Sequence, residues 1–175
     1  MGVRTGESTR VFLEVAKKFN SKIYSVDLSE KPNIEGFDNW HFHQGDDLSF
    51  GKELTENNRF PDGRPFSGID LLFIDTSHEF EHTLKELEIF FPLMSDKGLV
   101  VLHDTNLSEH PNRRLDGSVN VGWDNTRGVT RALESFFKTN IKEDLFQSYF
   151  NPGKTFAYLN IPWCNGLYFI KRCNP

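Results

Sequence analysis

The chain is poor in cysteine, in positive charge and in long apolar runs. Cys164 and Cys173 are the two cysteines among 175 residues, and their spacing is not that of a metal site. They read as reduced thiols, which excludes a disulfide-stapled scaffold. The formal net charge is -5, so no basic surface points to nucleic acid. No apolar run is long enough to span a bilayer, and the first residues carry no signal-peptide pattern, so the cytoplasm is the expected location. What the chain does have is phenylalanine, 17 residues of it, within 14% aromatics. That content suits a packed globule or an aromatic-lined pocket and argues against disorder. The length suits a single domain, 1–175, with a real core.

The hydrophobic pattern alternates between strand-like and helix-like stretches. Gly2-Val3-Arg4-Thr5-Gly6-Glu7-Ser8-Thr9 reads as a glycine turn feeding a helix. Ser8 or Thr9 is the expected cap, and Val11, Phe12, Val15, Ala16 and Phe19 the expected buried face. Ile23 to Asp27 and Trp40 to Asp46 read as strands, and Ser49 to Phe66 as a short helix with an exposed loop. Ile69 to Asp75 is the strongest strand signal, its continuous apolar run suiting cover on both faces. Thr76-Ser77-His78-Glu79 has capping-box spacing ahead of a helix lined by Phe80, Leu84, Leu87 and Phe91. Leu99 to Asp104 is a further strand, and Val129, Ala132, Leu133, Phe136 and Phe137 mark a last helix. Thr155 to Leu159 and Leu167 to Ile170 read as an antiparallel pair.

Strands alternating with helices imply a parallel sheet, whose ligands sit beyond the carboxyl ends of the strands. Asp27, Asp46, Asp75 and Asp104 all fall at such ends, beside a turn whose glycines and helix N–H groups suit a nucleotide-like ligand. His78 and His103 flank two of these acids and titrate near neutral pH; each is either a base or a partner of the neighbouring carboxylate. His41 and His43 share one face of a strand and read as surface or packing residues. The polar segment Thr105 to Thr126 reads as a lid and specificity loop; Trp123 either covers the pocket or simply packs, and Asn112, Arg113, Arg114 and Asp116 either bind a polar acceptor or belong to a solvated loop.

In this order and spacing the chain resembles class I S-adenosylmethionine-dependent methyltransferases. More narrowly it resembles the small-molecule O-methyltransferase group with macrocin-type and cephalosporin-hydroxylase-like proteins. The match lies in the glycine turn, Val26-Asp27-Leu28, Gly45-Asp46, Phe73 to His78, Val100 to Thr105, Gly128-Val129 and Asn165-Gly166-Leu167. The resemblance implies an α/β fold: a Rossmann-like doubly wound, mostly parallel sheet with a C-terminal antiparallel hairpin. It implies S-adenosyl-L-methionine as cofactor, held by Gly2, Arg4, Thr5, Gly6, Ser8, Asp27, Leu28, Gly45, Asp46 and Asp75. Asp27 would take both ribose hydroxyls and Asp46 would lie near the adenine; Arg4 stands where many relatives have glycine. Asp75, His78, His103 and Asp104 are the implied catalytic set. Asp75 and Asp104 either hold Mg²⁺, with Glu79 and Asp124 as further ligands, or cap strand ends or contact substrate directly; Thr105 stands where metal-binding relatives have Asn. The implied partner is a small-molecule or sugar acceptor, with neither nucleic acid nor membrane, and a homo-oligomer is left open.

The glycine turn of such a fold follows a central strand, and here only Met1 precedes it. The first strand is therefore expected to be truncated, through a misplaced start or a shortened copy, unless Met1 to Val3 form its stub. Two other functions stay open on sequence: a nicotinamide-dependent oxidoreductase and a non-catalytic cofactor-binding remnant. A hydrolase is excluded by the lack of a Gly-x-Ser-x-Gly elbow.

Overall fold

The structure is a computed structural model that describes residues 1–106, 112–113, 119–120, 127–150 and 156–172. It comprises two compact units, Met1–Gly68 and Ile69–Pro175.

The first unit runs α1 (Glu7–Lys18), β1 (Ile23–Asp27), β2 (Trp40–Gln44) and α2 (Asp47–Asn57). Its two strands pair in parallel from Ile23 opposite Trp40 to Asp27 opposite Gln44. Leu13, Ile34 and Trp40 form the core, with Ile23, Phe37 and Phe42 packed against it. The Trp40 indole N–H is satisfied by Ser25 Oγ at 3.0 Å. Beside Asp27, Met1 to Val3 make one strand-like contact, Gly2 N–H donating to Val26 O at 3.1 Å.

Two local expectations for α1 fail. Gly6, not Ser8 or Thr9, is the N-cap, at φ +88° and with no side-chain cap bond. A left-handed residue is needed where the turn enters the helix, and glycine takes it without strain. The buried stripe is Thr9, Leu13 and Ala16, whereas Val11, Val15 and Phe19 are 64%, 48% and 75% exposed. Both stripes have helical spacing, so periodicity could not choose between them.

The second unit runs β3 (Ile69–Ile74), α3 (Phe80–Phe90), a 3₁₀ turn, β4 (Met94–His103), β5 (Asn112–Arg113), β6 (Val119–Asn120), α4 (Gly128–Phe137), β7 (Gln147–Phe150), β8 (Phe156–Ile161) and β9 (Leu167–Arg172). Five strands form one sheet in the order β3-β4-β9-β8-β7. β3 and β4 are parallel, with α3 as the crossover, and the other pairings are antiparallel. This is the Rossmann-like α/β arrangement with its C-terminal hairpin. β5 and β6 form a separate two-residue ladder inside the expected lid segment.

Val100, Leu102, Tyr168 and Ile170 are almost wholly buried on adjacent strands, as are Leu87, Phe90, Ala132 and Leu133 on the helices. Phe91, Phe136, Phe137 and Phe156 pack in a chain of ring contacts of 4.3 to 5.5 Å. Three expectations change here. Leu71 is 46% exposed, so β3 is not covered on both faces. α3 begins after Glu79 with no side-chain cap bond, so the Thr76 box does not form. β7 is a strand that the sequence did not announce, because Gln147-Ser148-Tyr149-Phe150 lacks apolar alternation. No helix among the described residues is long and apolar enough to cross a membrane.

Candidate active site

At the carboxyl end of β1 and β2, the glycine turn folds onto Asp27. Its Oδ2 accepts from the N–H groups of Val3 at 2.6 Å and Arg4 at 3.0 Å, and its Oδ1 accepts from Ser29 N–H at 2.7 Å. Burial raises the Asp27 pKa, but these N–H donors outweigh it and hold the carboxyl below its ordinary value. Arg4 adopts φ +49°, doing as a non-glycine what glycine does more cheaply. Thr5 Oγ1 donates to Glu7 Oε2 at 2.5 Å, and Ser8 lies within α1.

Gly45 N–H donates to Asp27 O at 2.9 Å, extending the ladder by one bond. Asp46 caps α2: its Oδ2 accepts from Ser49 N–H and from Ser49 Oγ, each at 2.8 Å. Leu28 is 76% exposed. The Gly2–Gly6 turn, Asp27, Leu28, Gly45 and Asp46 thus share one strand edge. His41 stacks on Tyr24 with centroids 5.0 Å apart, and His43 packs on Phe50, as packing residues do.

At the carboxyl end of β3 and β4, four groups meet. His78 Nε2 lies 2.9 Å from Asp104 Oδ2 and 3.3 Å from Asp75 Oδ1. His103 Nδ1 lies 3.3 Å from Asp75 Oδ1 and 3.1 Å from Asp104 Oδ1, the latter contact lacking the alignment of a hydrogen bond. Two carboxylates and two imidazoles therefore alternate around a ring.

Each member shifts the others. The carboxylates of Asp104 and Asp75 beside it push the His103 pKa up to about 10 against the opposing effect of burial. Burial lowers that of His78, but Asp104 and Asp75 outweigh it and the net shift is upward. Burial pushes both carboxyls up, yet the His103 and His78 imidazoles beside them win. They hold Asp104 at about 2 and Asp75 well below its ordinary range. His78 and Asp104 both adopt left-handed backbone, at φ +60° and +57°.

The structure thus brings Asp75, His78, His103 and Asp104 together, while Glu79, at the N-cap position of α3 with no side-chain cap bond, is not among the clustered donor groups of Asp75, His78 and Asp104. Trp123, Asp124, Arg114 and Asp116, and the side chains of Asn112 and Arg113, lie outside the described residues. Several supporting residues escaped the sequence reading. Glu86 is wholly buried on α3 and accepts from Thr76 Oγ1 at 2.8 Å, tying down the residue after Asp75. Thr130 Oγ1 donates to Thr105 O at 2.6 Å, tying down the residue after Asp104. A charged or hydroxyl residue on an otherwise apolar helix face was the signal available for each.

Strand ends bearing acids, a glycine turn into a helix and an added C-terminal hairpin define a Rossmann-like methyltransferase domain. Residues 1–105 match the family model described as a methyltransferase domain, and residues 66–153 match that of Rhamnosyl O-methyltransferase/CmcI. The chain belongs to the rhamnosyl O-methyltransferase/CmcI family of methyltransferases.

No curated protein matches the chain. Among solved structures it is similar to the MycE methyltransferase of the mycinamycin biosynthetic pathway, determined with Mg, SAH and mycinamycin VI. That match has a TM-score of 0.56 at 19% identity and covers 97% of this chain and 40% of MycE. It is similar also to the apo structure of CalS11, a TDP-rhamnose 3'-O-methyltransferase of calicheamicin biosynthesis. There the TM-score is 0.52 at 15% identity, over 97% of this chain and 68% of CalS11. The chain spans about 40% of the length of MycE. At these identities the likeness is one of fold.

Proposed function

We propose that this chain is an S-adenosylmethionine-dependent O-methyltransferase acting on a hydroxyl of a small molecule or sugar, its two units forming one domain. The observation that carries the reading is the ring of Asp75, His78, His103 and Asp104 at the β3–β4 edge, in a chain of the rhamnosyl O-methyltransferase/CmcI family. The solved relatives that hold SAH and Mg, or are named for a rhamnose acceptor, support the cofactor and the sugar.

Methyl transfer from a sulfonium requires the acceptor oxygen to lose its proton as it bonds the methyl carbon, the sulfur leaving as a thioether. Catalysis then consists of aligning three atoms, excluding water and holding the proton. The Gly2–Gly6 turn is assigned to the methionine part of the cofactor, Asp27 to its ribose, and Gly45 and Asp46 to its adenine. The Asp27 carboxylate, now clasping the turn, is the group suited to paired ribose hydroxyls. His78 and His103 are assigned to the acceptor proton, and Asp75 and Asp104 to orienting those rings.

The donor set also fits a divalent cation: oxygens of Asp75 and Asp104 and a ring nitrogen of His78 lie within 4.8 Å of one another. A bound cation would draw carboxylate charge away from the imidazoles and polarise an acceptor hydroxyl. Without it, the two carboxylates keep His103 charged near neutral pH, and a charged imidazole cannot accept a proton.

Calorimetric titration with SAH, with and without Mg²⁺, tests the reading. Micromolar binding that Asp27→Ala abolishes is expected, and NADH binding in its place overturns the proposal. Asp104→Ala is expected to lower turnover far more than SAH affinity; the reverse pattern removes Asp104 from the acceptor side.

A further inference from the structure

His78 and Asp104 hold left-handed backbone without being glycines. Such conformations persist where the surroundings impose them. The opening turn of α4 contacts both stretches, and the 162–166 turn adds to the hold after Asp104, Asn106 N–H donating to Asn165 O at 2.6 Å. Gly128 approaches the His78 carbonyl so closely that a Cβ on it would stand 2.1 Å from that oxygen. Two residues further on, the buried Thr130 hydroxyl donates to the carbonyl of Thr105, the residue after Asp104, at 2.6 Å.

The turn is itself anchored from behind. Arg127, at φ +54°, donates from Nε to Glu143 Oε1 and from Nη2 to Glu143 Oε2 at 2.7 Å. The same Nη2 reaches Ile141 O at 3.2 Å and Glu134 Oε1 at 3.4 Å, and that Glu134 oxygen also accepts from Ile141 N–H at 2.9 Å. One helix turn is therefore pinned to the 141–143 segment, lies against the His78 carbonyl and bonds the carbonyl of the residue after Asp104.

We propose that Arg127, Gly128 and Thr130 are positioning residues for the methyl-transfer site, setting the His78 ring through its own carbonyl and the Asp104 carboxylate through Thr105. The proposal rests on the reading of that cluster as the acceptor site. Its physical basis is the steep loss of hydrogen-bond strength with misalignment: His78 Nε2 meets Asp104 and Asp75 at 2.9 and 3.3 Å. A slip of about an ångström there costs on the order of 100-fold in rate.

The test compares Thr130→Val, which keeps the volume and loses the donor, with Thr130→Ser, which keeps the donor. Two readouts are needed. The first is the imidazole ¹⁵N–¹H spectrum of His78 and His103 in the ligand-free protein at one fixed pH. The second is kcat against KM for S-adenosylmethionine. The expected result is displaced His78 signals in Thr130→Val, with kcat lowered about 10- to 100-fold and KM little changed, and return of both in Thr130→Ser. Wild-type signals and kcat in Thr130→Val overturn the proposal, as does an equal loss in Val and Ser variants.

The spectrum does not require turnover. Displaced signals rescued by serine in a protein that methylates no hydroxyl support the positioning and sink the acceptor-site reading. An active Thr130→Val with undisturbed signals does the opposite.

Discussion

Gly128→Ala sets two effects of opposite sign against each other. Gly128 is the first residue of α4 and does not use positive φ, so alanine there gains up to about 1 kcal/mol of helix propensity. Against this, the added methyl would sit 2.1 Å from His78 O and 3.0 Å from Phe80 N, where ordinary contact begins at 3.4 Å. Both obstacles are backbone, so the start of α4 and the 78–80 segment must part by more than an ångström. Overpacking of this kind costs about 1–3 kcal/mol, and here no flexible side-chain end can yield. The net expectation is a loss of about 1–2 kcal/mol, or roughly 2–8 °C in Tm for a chain of this size. Urea denaturation followed by circular dichroism, with a calorimetric scan, measures it. The His78 imidazole signal should move in the same variant, because its carbonyl is the group displaced. A Gly128→Ala protein as stable as wild type, or more so, would refute the close approach.

Arg4→Gly is expected to raise stability by about 1 kcal/mol, since a side chain at φ +49° strains the turn; an unchanged or lower denaturation midpoint contradicts it. The ion-pair ring predicts a defined pH window in the metal-free protein. His103, raised from 6.5 to about 10, contributes stability that is full below pH 6.5 and lost as pH rises through about 10. Asp104, lowered from 3.8 to about 2, contributes stability present above pH 3.8 and lost as pH falls through about 2. NMR titration in chelator should keep His103 protonated at pH 8, and a midpoint near 6.5 would break the ring as described. Saturating Mg²⁺ should lower the His103 midpoint, and no change on adding the ion argues against the two aspartates as its ligands.

The strands were readable because an apolar run that stops at an acid marks both the element and its end. Ile69 to Ile74 before Asp75, and Leu99 to His103 before Asp104, are strands whose carboxyl ends carry those acids. The α4 helix was readable from the spacing of Val129, Ala132, Leu133 and Phe137, all buried. Periodicity failed where two answers shared one spacing, as on α1. It failed also at β7, an edge strand paired only with β8 and mostly exposed, so that no buried face marks it.

From the sequence alone came the parallel α/β class, the glycine turn and the acids that end the strands, since backbone geometry and burial leave a local signature in residue order. Tertiary structure alone decided which ring meets which carboxylate, that Asp27 clasps the glycine turn, and that Gly128 and Thr130 meet the carbonyls of His78 and Thr105. Apart from the local His78–Asp75 and His103–Asp104 pairs, those contacts join residues 23 to 50 positions apart, and nothing in a local window records what a crossover helix will bring alongside.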